Sequence, residues 1–241
     1  MKKNKTDNFI GFKDAIIKIE QQNQYTLKSI NNELKPGSIL GLLGLNSSGK
    51  TSLFKKIAGI ENHFLKEGFK YYLDIIEKNK NSDISYLADI ELLPSEIKVY
   101  ETVNYFFDIM NSFNKNRALE DLKKLNFNLN LPIQSLSQGQ KKALLFILTI
   151  YCKAAVYLFD EPFANLDIIM RNYVLEMLIG EISDKKIFII TTHELFELEN
   201  IFSHIMILND NTSSNIYEVE KIRENKSLND FYMEAINVKN Y

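Results

Sequence analysis

Residues 38–51 read Ser-Ile-Leu-Gly-Leu-Leu-Gly-Leu-Asn-Ser-Ser-Gly-Lys-Thr, and this stretch decides the fold. Its first seven residues form an apolar run too short for a helix. With the turn signal Pro36-Gly37 before it, the run suits a buried parallel strand. The last eight, Gly44, Leu45, Asn46, Ser47, Ser48, Gly49, Lys50 and Thr51, match the pattern GxxxxGK[ST]. From Thr51 onward Leu53, Phe54, Ile57 and Ile60 fall on one face at helical spacing. Strand, glycine-rich turn and helix together make an anion cradle. Glycines let backbone N–H groups converge, the helix turns its positive end toward the anion, Lys50 adds a point charge for the β and γ phosphates, and the Thr51 hydroxyl can ligate Mg2+.

Working outward, Ala15–Ile19 and Tyr25–Leu34 read as strands. Apolar positions at three- and four-residue spacing predict helices over Val99–Phe113 and Arg117–Leu125, and the nearly apolar Lys141–Lys153 predicts another. Strand signals return at Ala155–Phe159 and Ile187–Thr192, separated by a helix-like stretch from Ile168 to Ile182. That order is an α/β arrangement with a parallel sheet and helices inserted in its middle.

Composition narrows the function. Of 241 residues only 9 are glycine, and five of these (Gly37, Gly41, Gly44, Gly49, Gly59) lie between positions 37 and 59, around the cradle. The hydrophobic share of 45% and charged share of 25% suit a globular chain with a buried core. A net charge of −2, without a long basic run, makes nucleic acid an unexpected partner. The lone Cys152 sits in an apolar stretch, where a buried thiol is a better reading than a nucleophile. That stretch, Ala143–Cys152, is the longest nearly apolar run, about half of the ~20 residues a spanning helix needs. The basic N-terminus is followed by no signal-peptide apolar region, so work at a membrane is expected to go through a partner.

Hydrolysis needs more than a cradle. Val-Tyr-Leu-Phe-Asp-Glu at 156–161 places two carboxylates at the end of an apolar strand. Asp160 suits a Mg2+ held through its water shell, and Glu161 suits the base that polarises an attacking water. His193, two residues past Thr191, ends another strand and suits a γ-phosphate contact.

Leu136-Ser137-Gln138-Gly139-Gln140 lies between these elements. With it the sequence resembles the nucleotide-binding subunit of ATP-binding cassette (ABC) transporters: the phosphate loop at 44–51, this pentapeptide in place of Leu-Ser-Gly-Gly-Gln, Asp160-Glu161, Asn165-Leu166-Asp167 at the D-loop, and His193 as the switch histidine, all in family order over about residues 15–210. The resemblance implies a P-loop NTPase (RecA-like) parallel sheet core with antiparallel N-terminal strands and an inserted helical subdomain. The core takes residues 1–88 and 154–210, the helical subdomain 89–153, and a tail with a short helix 211–241. It implies a cytoplasmic subunit, peripheral on the inner face of the cell membrane through a separate permease, that hydrolyses ATP. Two cassettes, as homo- or heterodimer, would sandwich ATP so that Ser137, Gln138 and Gly139 of one serve the γ-phosphate held by the other. A hydroxyl and free N–H groups at this helix start have no obvious use within their own chain. The amphipathic ending at 227–236 looks like that of exporters and favours export. A catalytically weak member of a heterodimer, or a soluble P-loop kinase or ATPase, is the alternative.

Two positions depart from the family. Where it places a Mg2+-sensing glutamine this chain has Asp89, and no glutamine occurs from Thr51 to Ile133. Its adenine-stacking aromatic falls near Gln21 and Gln22; Tyr25 is the nearest substitute, and equally suits a strand residue facing the core. Asp89→Ala is expected to impair ATPase turnover in a phosphate-release assay, and normal turnover would make Asp89 a bystander.

Overall fold

The computed structural model describes residues 10–11, 15–21, 24–30, 33–45, 48–58, 84–87, 93, 95–110, 112–192, 195–208 and 215–237, with the backbone alone before Leu34. Asn46, Ser47, Asp89 and His193 lie outside the described residues, and of Tyr25 only the backbone is described.

Two small antiparallel pairs open the chain. Strand β1 (Ile10–Gly11) pairs with β4 (Glu33–Leu34), and β2 (Ala15–Gln21) pairs with β3 (Gln24–Ile30), with Tyr25 opposite Glu20. The expected single strand over 25–34 is therefore two, each with a different partner. Among the described residues the main sheet has six strands in the order β10-β9-β5-β8-β7-β6. These are β5 (Ile39–Gly44), β6 (Ile84–Leu87), β7 (Val156–Phe159), β8 (Ile187–Thr191), β9 (His204–Leu208) and β10 (Ile216–Glu218). All neighbours are parallel except β10, which runs antiparallel on the edge of β9.

Helix α1 (Lys50–Ile57) comes directly after β5. Between β6 and β7 come α2 (Val99–Ile109), α3 (Lys115–Lys124) and α4 (Gln138–Ile150). Helix α5 (Ile168–Glu181) precedes β8, and α6 (Leu195–Leu198), α7 (Val219–Arg223) and α8 (Leu228–Asn237) complete the chain. No helix among the described residues is long and apolar enough to cross a membrane.

The central strands β5, β7 and β8 are buried along their whole length and almost wholly apolar because both sheet faces are covered there. Residues of β5 alternate between two cores. Ile39 and Leu43 join Tyr157, Phe159, Phe188 and Ile190 under α4 and α5, while Leu40 and Leu42 join Val156, Leu158, Ile187 and Ile189 against Leu53 and Phe54 of α1. On the first face the rings stack, Phe146 on Phe159 at 4.8 Å between centroids and Tyr157 on Phe188 at 5.0 Å. Cys152 is buried with its thiol donating to the Leu148 carbonyl at 3.1 Å, and burial pushes its pKa up to about 12, so it is inert packing.

Two expected helix ends shift inward for one reason. Helix α2 stops at Ile109 instead of Phe113 and α4 at Ile150 instead of Lys153, because Phe113 and Cys152 form an antiparallel bridge that neither could make inside a helix. At its other end α4 starts at Gln138, three residues before the apolar pattern begins, since Ser137 caps it.

A polar cluster ties α3 to the end of α4 and to α5. Asp121 of α3 accepts the hydroxyls of Tyr151 and Tyr173 (the latter at 2.7 Å) and lies 3.6 Å from Lys124. Arg117 of α3 pairs with Glu181 at the end of α5, which also takes Lys186 at 2.6 Å. Burial and the bond to Asp121 hold the Tyr151 phenol far above its ordinary pKa and push that of Tyr173 up to about 12. Both stay neutral donors. Asp121→Ala removes the acceptor of the buried Tyr151 hydroxyl and is expected to cost about 1–3 kcal/mol in urea unfolding.

Candidate functional site

In the parallel register Leu42 lies beside Thr191 and Phe159 beside Ile190, so β5, β8 and β7 end together. The crevice beyond the carboxyl ends of such strands is where α/β sheets bind ligands. There β5 delivers Gly44 and the loop into α1, β8 delivers Thr191, and β7 delivers Asp160 and Glu161.

Each side chain is held by another. The Thr51 hydroxyl donates to Asp160 Oδ2 at 2.7 Å, and the Thr191 hydroxyl donates to Asp160 Oδ1 at 2.6 Å. Thr191 Oγ1 in turn accepts the Glu161 N–H at 2.8 Å. On the other side, Lys142 of α4 reaches the Asp160 carbonyl oxygen with its ammonium, 2.7 Å away. Glu161 turns the chain with φ of +46°, and Asn165 does so again at +63°. Asp167 then caps α5 by accepting the Met170 N–H at 2.9 Å.

Lys50 folds back over its own loop, donating to the carbonyls of Gly44 at 2.8 Å and Leu45 at 3.1 Å. Burial pushes its pKa below the ordinary lysine value, and the Glu161 and Asp160 carboxylates raise it in part. Ser48 Oγ is buried and has no hydrogen-bond partner among the described residues. A Cβ on Gly44 would come within 2.6 Å of the Leu208 carbonyl and 2.7 Å of Ser48 Oγ, so only glycine lets the loop lie this close. An orphaned buried hydroxyl, a cation on borrowed carbonyls and a backbone cradle fit a polyphosphate. The Thr51 hydroxyl beside the Asp160 carboxylate supplies the hard oxygens that Mg2+ takes.

Ser137 does have a use in its own chain, against expectation. Its Oγ accepts the Gln140 N–H at 3.1 Å while Gln140 Oε1 accepts the Ser137 N–H at 3.0 Å, a reciprocal cap that starts α4. Gly139 has a local reason as well, since a Cβ there would meet the Asn165 carbonyl oxygen at 2.7 Å. The segments around Gly139 and Asn165 of one chain therefore touch.

The structure thus brings together Gly44, Ser48, Lys50, Thr51, Asp160 and Glu161, with Ser137 and Gly139 at the start of α4. Sequence reasoning missed Thr191 and Lys142. The signal for Thr191 was a hydroxyl ending a buried apolar strand, and for Lys142 a lysine directly before the run Ala143–Ile150 that is buried throughout.

A family model described as ABC transporter matches residues 27–164. The ABC transporter ATP-binding protein YtrB of Bacillus subtilis is 27% identical over 205 residues, covering 82% of this chain and 68% of that protein. The zinc import ATP-binding protein ZnuC of Wolbachia sp. subsp. Brugia malayi is 27% identical over 241 residues, covering 92% and 91%. A solved ATP-binding subunit of an ABC transporter superposes with a TM-score of 0.75 at 20% identity, covering 92% of this chain and 97% of that one, which speaks to the fold.

Thr191 is fully buried and holds two backbone-distant groups at once. Thr191→Val keeps its shape while removing the acceptor of the Glu161 N–H and one donor to Asp160, so it is expected to lower unfolding free energy by about 1–3 kcal/mol. Thr191→Ser, which retains the hydroxyl, is expected to recover most of that loss in the same melt.

Proposed function

Because the chain belongs to the ABC transporter family and is one of its ATP-binding, ATP-hydrolysing subunits, we propose that it dimerises on ATP and drives a separate membrane permease. What supports nucleotide hydrolysis at this site is the Thr51–Asp160 contact at 2.7 Å beside the loop-bound Lys50, with Glu161 next in the chain.

ATP lies with its phosphates on the backbone of residues 44–51. Lys50 exchanges its bonds to the Gly44 and Leu45 carbonyls for phosphate oxygens, and Ser48 gains the partner it lacks among the described residues. Thr51, and Asp160 through water, would hold Mg2+, which would supply positive charge to the phosphates. Glu161 polarises the water that attacks the γ-phosphorus. Catalysis is mostly positioning and charge stabilisation, as phosphoryl transfer requires. The family resemblance gives His193 the γ-phosphate contact; Asp89, in place of the family's glutamine, would stand near the metal, and Tyr25 is the nearest substitute for the missing adenine-stacking aromatic.

The second cassette covers the start of α4, so that Ser137, Gln138 and Gly139 reach the γ-phosphate on the partner's Lys50. Support comes from the surface: directly after Asp167, Ile168 and Ile169 are 74% and 78% exposed, and Leu45 in the phosphate loop is 55% exposed. Apolar side chains this bare beside the site suit a face that a partner covers.

The core comprises 1–88 and 154–210, the helical subdomain 89–153 and the tail 211–241. The chain works in the cytoplasm, on the inner face of the membrane through its permease. The helix at 228–237 favours export, a preference the zinc-import relative does not share.

Glu161→Gln is expected to cut steady-state phosphate release by about a hundredfold or more while the variant still forms an ATP-locked dimer on size exclusion. Retained turnover would overturn the assignment of Glu161 as base.

A further inference from the structure

The peptide unit between Asp160 and Glu161 is gripped at both polar ends. Its N–H belongs to Glu161 and goes to Thr191 Oγ1 at 2.8 Å; its carbonyl belongs to Asp160 and takes the Lys142 ammonium at 2.7 Å. The two grips come from different parts of the fold. Thr191 ends a core strand, whereas Lys142 stands on α4, little more than one turn beyond the Ser137 cap.

Holding this peptide still also holds the Glu161 side chain. Glu161 sits at φ of +46°, a conformation that a residue with a Cβ keeps only where its surroundings impose it. Rotating the 160–161 peptide changes that φ and swings the carboxylate. A charge-assisted bond to the carbonyl, from a half-buried lysine, opposes such rotation. Helix α4 makes a second close approach nearby, where Gly139 lies against the Asn165 carbonyl, so its first two turns touch the segment after β7 at both ends.

We propose that Lys142 is a positioning residue that ties the signature helix to Glu161, so that a shift of Ser137–Gly139 is carried through a single peptide to the carboxylate of the same chain. Nucleotide held between two cassettes then sets the geometry of both bases: each chain's signature senses the partner's phosphates and its Lys142 relays the result. This rests on the role given to Glu161 above.

Lys142→Met keeps a long apolar stem and removes the donor, and Lys142→Arg restores a donor. In steady-state kinetics with Mg-ATP, Lys142→Met is expected to lower kcat by about tenfold or more with KM within about twofold and an unchanged melting temperature, and Lys142→Arg to recover most of the loss. A Lys142→Met kcat equal to wild type, or a rise in KM alone, would overturn the tie. Hydrogen exchange of the 158–163 segment without nucleotide reads the same contact independently of turnover: faster exchange in Lys142→Met supports it, and equal exchange overturns it. A wild-type chain that releases no phosphate would instead overturn the proposed function, leaving the exchange comparison to decide Lys142.

Discussion

Two threonine hydroxyls converge on one carboxylate, and the site depends on that convergence. Thr51 comes from the helix after β5, Thr191 from the end of β8, and Asp160 from the end of β7. Such a meeting demands that three strands stop at the same level, which a parallel sheet in this register provides. A one-residue slip of β7 would turn Asp160 toward the opposite face. The carboxylate thus reports on sheet register as well as on chemistry. Thr191, the buried member of the three, tolerates no such error, because its unmade bond would cost about 1–3 kcal/mol.

Register in turn comes from the two-sided core. Each central strand gives alternate residues to opposite clusters, so neither face can be exchanged for solvent. On one face the aromatic stack of Phe146, Phe159, Tyr157 and Phe188 joins α4 to β7 and β8. The same helix carries the Ser137 cap and Lys142 at its start. Packing at the middle of α4 therefore fixes where its polar end lies against Asp160. At the far end the Asp121 cluster adds a polar lock between α3, α4 and α5.

Local chemistry made part of this legible from the chain alone. The phosphate loop, the Asp160-Glu161 strand end and the helix from Ile168 can be read from spacing and periodicity, because strand-to-turn-to-helix transitions leave their own residue signs. Features that depend on distant partners did not show. No spacing rule links Phe113 to Cys152, which trims two helices, and none links Thr191 to Asp160, 31 residues away. The sequence alone does not show that the lack of a Cβ at Gly139 is required by the Asn165 carbonyl in the same chain. Ser137 likewise has a local capping role that periodicity hides, since the apolar pattern begins only after its helix has started.

In the proposed function Lys50 leaves its own loop for a nucleotide phosphate beside Thr51 and Asp160. Phosphate release from Mg-ATP by the purified wild-type chain and by Lys50→Ala tests this most directly. Release by the wild type that falls to background in Lys50→Ala is the predicted result; equal release by the two would place the chemistry elsewhere and contradict the account.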